Sequence, residues 1–409
     1  MAVSEPKPAA NNSELLRGEP DDGHHRVTYV ELFFDLVFVF AVTQLSHTLA
    51  AQFDAWGVLQ AFILMLAVWW VWIDTSWVTN WLNPDRTPVR AVIFGLMLAG
   101  LGLSISIPKA FGDRAILFAV CYGVMQVARS IFAMWATPRD EEALRTNFTR
   151  ILAWHCAGAA FWLAGASAPD AWRLGLWAVA VVIASAGPLT RFWTPGLGAS
   201  AVSDWNVEGG HMAERCGLFI IIALGESILV TGATFADAPW KAWTIVGFVS
   251  SFVASLAMWW IYFDLGAEAG SREIADADDP GRLARLAYTY LHLPIMAGVI
   301  VTAVGDEFVL DHPDGHGELR TLLTVVGGPL LFLTGAILFK RAVRGFFQLS
   351  HLVGIGLLGG MLAAGALLTS LPPALLSVLS TTCLVVVAVW ESWSFNAHHH
   401  TTQTSAKHD

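Results

Sequence analysis

Hydrophobic positions in this chain gather into long unbroken runs, without the alternation of a half-buried strand or the narrow stripe of a surface helix. About twelve runs can be placed, near 28–50, 58–79, 89–107, 115–136, 150–168, 172–190, 212–233, 243–264, 284–304, 321–340, 350–369 and 373–391. Each is long enough for a helix to cross the roughly 30 Å hydrocarbon core of a bilayer. The connections are short, so no soluble domain fits between them. The pattern predicts an all-α polytopic membrane protein of about 12 transmembrane helices. Residues 1–26 and 392–409 read as disordered tails. The first tail is polar, carries five acids and leads straight into the first run, so no cleavable leader is expected.

The Lys and Arg between the runs set an orientation. With the N-terminus cytoplasmic, the inner segments hold 17 of them, and the outer segments hold only Lys109, Arg114, Arg173, Lys241 and Arg320. Arg129 lies inside a run. A bias of this size predicts a cell (plasma) membrane protein with both termini in the cytoplasm. The two halves also resemble each other. Glu31 opens the first run and Glu214 the seventh, while WWVWID at 69–74 and WWIYFD at 259–264 end the second and the eighth. An even number of spans per half gives the halves one orientation. The expected layout is two parallel six-helix repeats, 27–192 and 211–391, joined by a linker at 193–210.

Composition narrows the classes further. The chain is 55% hydrophobic and only 14% charged, where a soluble domain carries roughly a quarter charged residues. Its 19 Trp suit side chains placed at bilayer interfaces. Cys121, Cys156, Cys216 and Cys383 fall inside apolar runs with no C-x-x-C pair, and read as small buried hydrophobes. No P-loop, nucleophile motif or H-E-x-x-H appears. No cofactor, metal or nucleic acid is expected, and an enzyme is not the leading reading.

Chemistry therefore rests on polar side chains inside the runs. Glu31, Asp35, Asp74, Glu214 and Asp264 lie toward the cytoplasmic ends of their spans, with Arg90, Arg129 and Arg215 at similar depth as charge partners. His211 sits one turn before Glu214; Glu226 and His292 are deeper. Ionised groups in hydrocarbon are costly and mark polar pathways unless they are paired. One account makes them ion pairs that fix helix register; the other has some of them line a polar cavity. Trp70, Asp74, Trp77 and Trp81 share a helix face, which suits a cation held by a carboxylate and ring faces, or an interfacial Trp belt. Glu226 follows Gly225, which permits close helix approach, and His292 precedes Pro294, where a kink frees backbone carbonyls. The acids and His of 305–319 read as a solvated outer loop.

The strings VELFFDLVFVFAVTQLSH in the first run, HMAERCGLFIIIALGES at 211–227 and YLHLPIMAG at 290–298 resemble the bacterial low temperature requirement A family. The likeness covers about residues 25–395. It implies a polytopic membrane protein of a family named for a growth phenotype in the cold. The motif positions that carry over are Glu31, Asp35, His47, Trp70, Asp74, His211, Glu214, Arg215, Glu226 and His292. A remoter likeness links FFDLVFVFAV to the first helix of potassium channels built from six-helix repeats, although Phe33–Phe34 replaces their Phe-Ser pair. The leading expectation is a secondary transporter or permease, with the lipid bilayer as its setting and a small polar or cationic solute, or a proton, as its ligand. The alternative is a cation channel, which a homodimer of two-repeat chains would complete. A membrane enzyme acting on lipid ranks third.

Overall fold

The computed structural model describes residues 12–18, 26–201, 209–263 and 280–405. Its long helices are α1 (Tyr29–Ala51), α2 (Ala55–Trp81), α3 (Thr87–Ser106), α4 (Ala115–Ala136), α5 (Glu142–Ser167) and α6 (Asp170–Leu189). They continue with α7 (Gly209–Asp237), α8 (Ala242–Phe263), α9 (His292–Asp311), α10 (Leu319–Arg344), α11 (Leu349–Leu368) and α12 (Pro373–Ser405). No strand occurs among the described residues, only isolated bridges. Ten helical segments are long and apolar enough to cross a membrane, one of them running into α9 from Gly281. The other two fall short: α5 carries Arg145, Arg150 and His155 along its length, and the apolar part of α11 ends at Gly365. Leu98, Val182, Leu229 and Val249 are more than half exposed, as lipid-facing side chains would be.

Two compact units divide the chain, Met1–Ala41 with Leu66–His211 and Val42–Met65 with Met212–Asp409. One break falls just past the expected linker at 193–210. The departure is 42–65, the end of α1 and the start of α2, which belongs with the later helices. Packing explains it: Leu49 and Ala61 form one buried cluster with Val304 and Phe308 of α9, flanked by Phe53.

The first unit is built around aromatic rings. Trp162 and Trp177 lie 4.9 Å apart between ring centroids, with Phe118 and Tyr122 packed on Trp162. Trp69, Trp70 and Trp72 are fully buried as well. Trp56, Trp172 and Trp240 are exposed near helix ends, as the interfacial role expected for Trp requires. For the buried five it is corrected, because their area stabilises helix contacts instead.

In the second unit, α9 and α10 approach through glycines seven residues apart. A Cβ on Gly298 would collide with the backbone of Phe332, and one on Gly335 would sit 2.7 Å from the backbone nitrogen of Ile295. Gly305 and Gly328 are similarly confined. Small residues at such spacing let helix backbones pack closely in a membrane. α10 itself is interrupted at Val326. Pro329 has no amide to give the Val325 carbonyl, and the Ser380 hydroxyl donates to that carbonyl instead, at 2.8 Å.

Three expectations need correction here. Residues 12–18, inside the expected disordered tail 1–26, are ordered: Leu15 is buried, the Arg17 amide donates to Trp81 O at 2.8 Å, and the Asn83 amide to Leu15 O at 2.9 Å. The other tail, 392–409, is helical as far as Ser405. The outer loop expected at 305–319 begins as helix, since α9 runs to Asp311 and buries Asp306 to 4% exposure. Ser227 stabilises that burial by donating to Asp306 Oδ2 at 2.7 Å.

Candidate functional site

Asp74 lies seven residues before the end of α2, and its carboxylate is the focus of a polar cluster in the first unit. Three neighbours converge on Oδ2: Gln126 Nε2 at 2.8 Å, His155 Nε2 at 3.3 Å and Arg129 Nη2 at 3.6 Å. Arg129 is held by donation to the Val71 carbonyl, to Thr75 Oγ1 and to Gln126 Oε1. His155 Nδ1 meets the Ser130 hydroxyl at 2.7 Å. Helical spacing on α4 sets the arrangement, because Tyr122, Gln126, Arg129 and Ser130 fall on one face at i, i+4, i+7 and i+8.

A pocket of ≈ 310 Å³, counting its open mouth, lies against this cluster. Asp74, Tyr122, Gln126 and His155 form its polar wall, and Trp154, Ile183, Pro188 and Phe192 its apolar one. Most of that space is the mouth, and the enclosed part has room for about one water molecule. Asp74 Oδ1 makes no hydrogen bond among the described residues, and the side chain is 14% exposed. The aromatic neighbours differ from those expected. Trp70 and Trp77 are buried, and the rings beside the pocket come from α4, α5 and the chain after α6. Arg129 also compensates the Asp74 charge, so the wall offers a hydrogen-bonding surface rather than a bare anion.

A second cluster surrounds Glu31. Thr28 and Glu31 form a capping box at the start of α1: the Thr28 amide donates to Glu31 Oε2 at 2.9 Å and the Glu31 amide to Thr28 Oγ1 at 3.4 Å. Arg17 Nη2 donates to Oε2 at 3.0 Å, and His211 Nε2 lies 2.9 Å from Oε1. His211 reaches Asn80 through Nδ1 at 3.3 Å, and Arg17 Nε donates to the Thr79 carbonyl at 2.7 Å. This network ties the N-terminal segment to α1, α2 and the start of α7, and leaves little of Glu31 for a ligand.

The family model for the bacterial low temperature requirement A protein matches residues 26–389. The chain belongs to the low temperature requirement A family. An uncharacterized protein of Rhizobium meliloti (strain 1021) is 40% identical over 389 residues, covering 94% of this chain and 93% of its own length. No solved structure matches. Both pockets of charge just described lie within the part of the chain that the low temperature requirement A model covers, except for Arg17.

The remaining expected residues separate. Asp35 is buried and accepts from Trp72 Nε1 at 2.9 Å. Arg215 is buried and Glu214 exposed. Arg90 does not join the intramembrane acids; it pairs with Asp85 at 3.6 Å at the start of α3, 42% exposed. His292 is enclosed, donating from Nδ1 to the Ala287 carbonyl and accepting at Nε2 from the Tyr262 hydroxyl, both at 2.8 Å. Glu226 is buried in the second unit and accepts from Thr43. Asp264 lies outside the described residues.

Sequence reasoning missed Arg17, Gln126 and a buried ion cluster in the second unit. Lys340 Nζ donates to Glu391 Oε1 at 2.6 Å and to the Ile261 carbonyl at 2.8 Å, with His351 Nε2 3.5 Å away. Lys340 had the look of a loop cation at the end of a run. It is 3% exposed. The available signals were a Leu-Leu-Arg motif in an otherwise polar tail, and a Lys and a Glu at the same depth on neighbouring spans.

Proposed function

We propose that this protein is a secondary transporter or permease whose Asp74 pocket takes up a small polar solute. The observation that carries the reading is the Asp74 carboxylate on the apolar helix α2, with three neighbours on Oδ2, no hydrogen bond on Oδ1 among the described residues, and a place in a pocket wall. A register-fixing ion pair would need neither the pocket nor the free oxygen. With both termini cytoplasmic, the ends of α2, α4 and α6 and the start of α5 are inner, so the pocket belongs to the cytoplasmic half. Compensation by Arg129 favours a neutral or zwitterionic solute over a bare cation, which weakens the cation-channel alternative.

One likeness that the sequence strings did not contain bears on the parallel-repeat layout: Arg129 on α4 and His155 on α5 meet Asp74, and Lys340 on α10 and His351 on α11 meet Glu391. The cations and histidines stand on corresponding helices, while the carboxylates, on α2 and α12, do not. The test is uptake by proteoliposomes from a panel of radiolabelled small polar metabolites, including amino acids and amines. Asp74→Asn is expected to abolish uptake of the transported compound while inserting normally. Undiminished uptake by that variant would contradict the assignment.

A further inference from the structure

Among the described residues of the second unit, two helix carboxylates have no cation in contact. Glu226 on α7 is 1% exposed; Oε2 accepts from the Thr43 hydroxyl of α1, while Oε1 is buried without any hydrogen-bond partner. Glu307 on α9 has the same deficiency at Oε2. The Ser227 hydroxyl, next to Glu226, donates to Asp306, next to Glu307, at 2.7 Å, so the two acids stand at one level of α7 and α9, and His47 of α1 acts on both. Ser46, one residue before His47, adds another buried hydroxyl oxygen with no partner. The two carboxylate oxygens are acceptors waiting for a donor, and the Ser46 hydroxyl can both donate and accept. A buried acceptor with none carries a desolvation cost of about 1–3 kcal/mol, and more for a charged group.

The neighbours decide what fits. Facing the pair are His47 from α1 and Asp311, one turn beyond Glu307 on α9. Asp306 beside Glu307 is engaged by Ser227, which in turn accepts from Ser255 of α8 at 3.1 Å. Among the described residues no group of three or more His, Cys, Asp or Glu is arranged to hold a metal ion. Glu226 is buried and Glu307 half-buried, and a carboxylate so placed disfavours ionisation of its neighbour, so the two bind protons as a coupled unit.

We infer that Glu226 and Glu307 form an intramembrane proton-binding pair, holding one exchangeable proton between helices α7 and α9. The proton leaves hydronium, forms an O–H bond on a carboxyl oxygen that lacks a donor, and returns to water on release. The inference depends on the transporter reading only for its purpose, as the coupling ion; proton binding itself stands without any solute. Asp74 and its pocket are separate residues, so the two readings fail separately.

Infrared titration of the full-length protein in liposomes tests it. The carbonyl stretch of a protonated carboxyl, titrating with pH in the wild type, is expected to disappear in Glu226→Gln. In Glu307→Gln, which removes the facing charge, proton binding at Glu226 is expected to weaken severalfold. A band that survives both substitutions unchanged would overturn the pair. Because either variant can misfold, the wild type supplies an independent measurement. Dicyclohexylcarbodiimide, which reacts with protonated buried carboxyls, is expected to label Glu226 or Glu307, with labelling falling as pH rises. Absence of label on both, at every pH at which other carboxyls react, would also overturn it.

Discussion

At the scale of single residues, two acids that the sequence places alike, toward the cytoplasmic ends of their spans, have opposite environments. Glu31 is a capping acid whose oxygens are occupied by Thr28, Arg17 and His211. Asp74 keeps one oxygen at a pocket. Glu31→Ala therefore acts on stability: losing the cap and leaving the Arg17 charge without its carboxylate is expected to cost about 3 kcal/mol. Thermal unfolding in detergent checks this, and a midpoint equal to wild type would refute the structural role. The capping-box spacing stands in the sequence, with Thr28 three residues before Glu31, but was not read there. The hydrophobic pattern hid it, because a period of apolar residues says nothing of what an acid at its edge bonds to. Gln126 was harder to find, as a neutral amide carries no charge to betray its burial.

At the scale of helices, composition alone marked most spans, and the misjudged ends have physical causes. α9 extends past Gly305 because Ser227 satisfies Asp306, so an acidic sequence that reads as loop is stable as helix. Lys340 is drawn inward by Glu391 and the Ile261 carbonyl. Removing one partner strands a buried charge, so Lys340→Met is expected to destabilise by about 3–5 kcal/mol, while Lys340→Met with Glu391→Met recovers most of that loss. Double-mutant analysis of thermal midpoints measures the coupling, and strict additivity would contradict it. Close packing of α9 on α10 predicts another result. Gly298→Leu is expected to lower the yield of folded, monodisperse protein, because the side chain has only the Phe332 backbone to enter. Gly225→Leu, where nothing lies within 4 Å of a Cβ, is the control that keeps its yield.

At the scale of the whole molecule, the all-helical membrane architecture was legible in the long apolar runs, while the partition into units was not. The transfer of 42–65 to the second unit depends on contacts of Leu49 and Ala61 with α9, which no local pattern encodes. Orientation rests on the Lys and Arg bias. A fluorescent protein fused after Asp409 is expected to fluoresce, and alkaline phosphatase at the same place to stay inactive; the reverse pattern would invert the topology. The central claim concerns the Asp74 pocket, and solute binding tests it most directly. Thermal unfolding of the purified protein, measured across the panel of small polar metabolites, reports any compound that binds the folded state. The account predicts that the transported solute raises the midpoint of the wild type and leaves that of Asp74→Asn unchanged. Equal stabilisation of both proteins would contradict it.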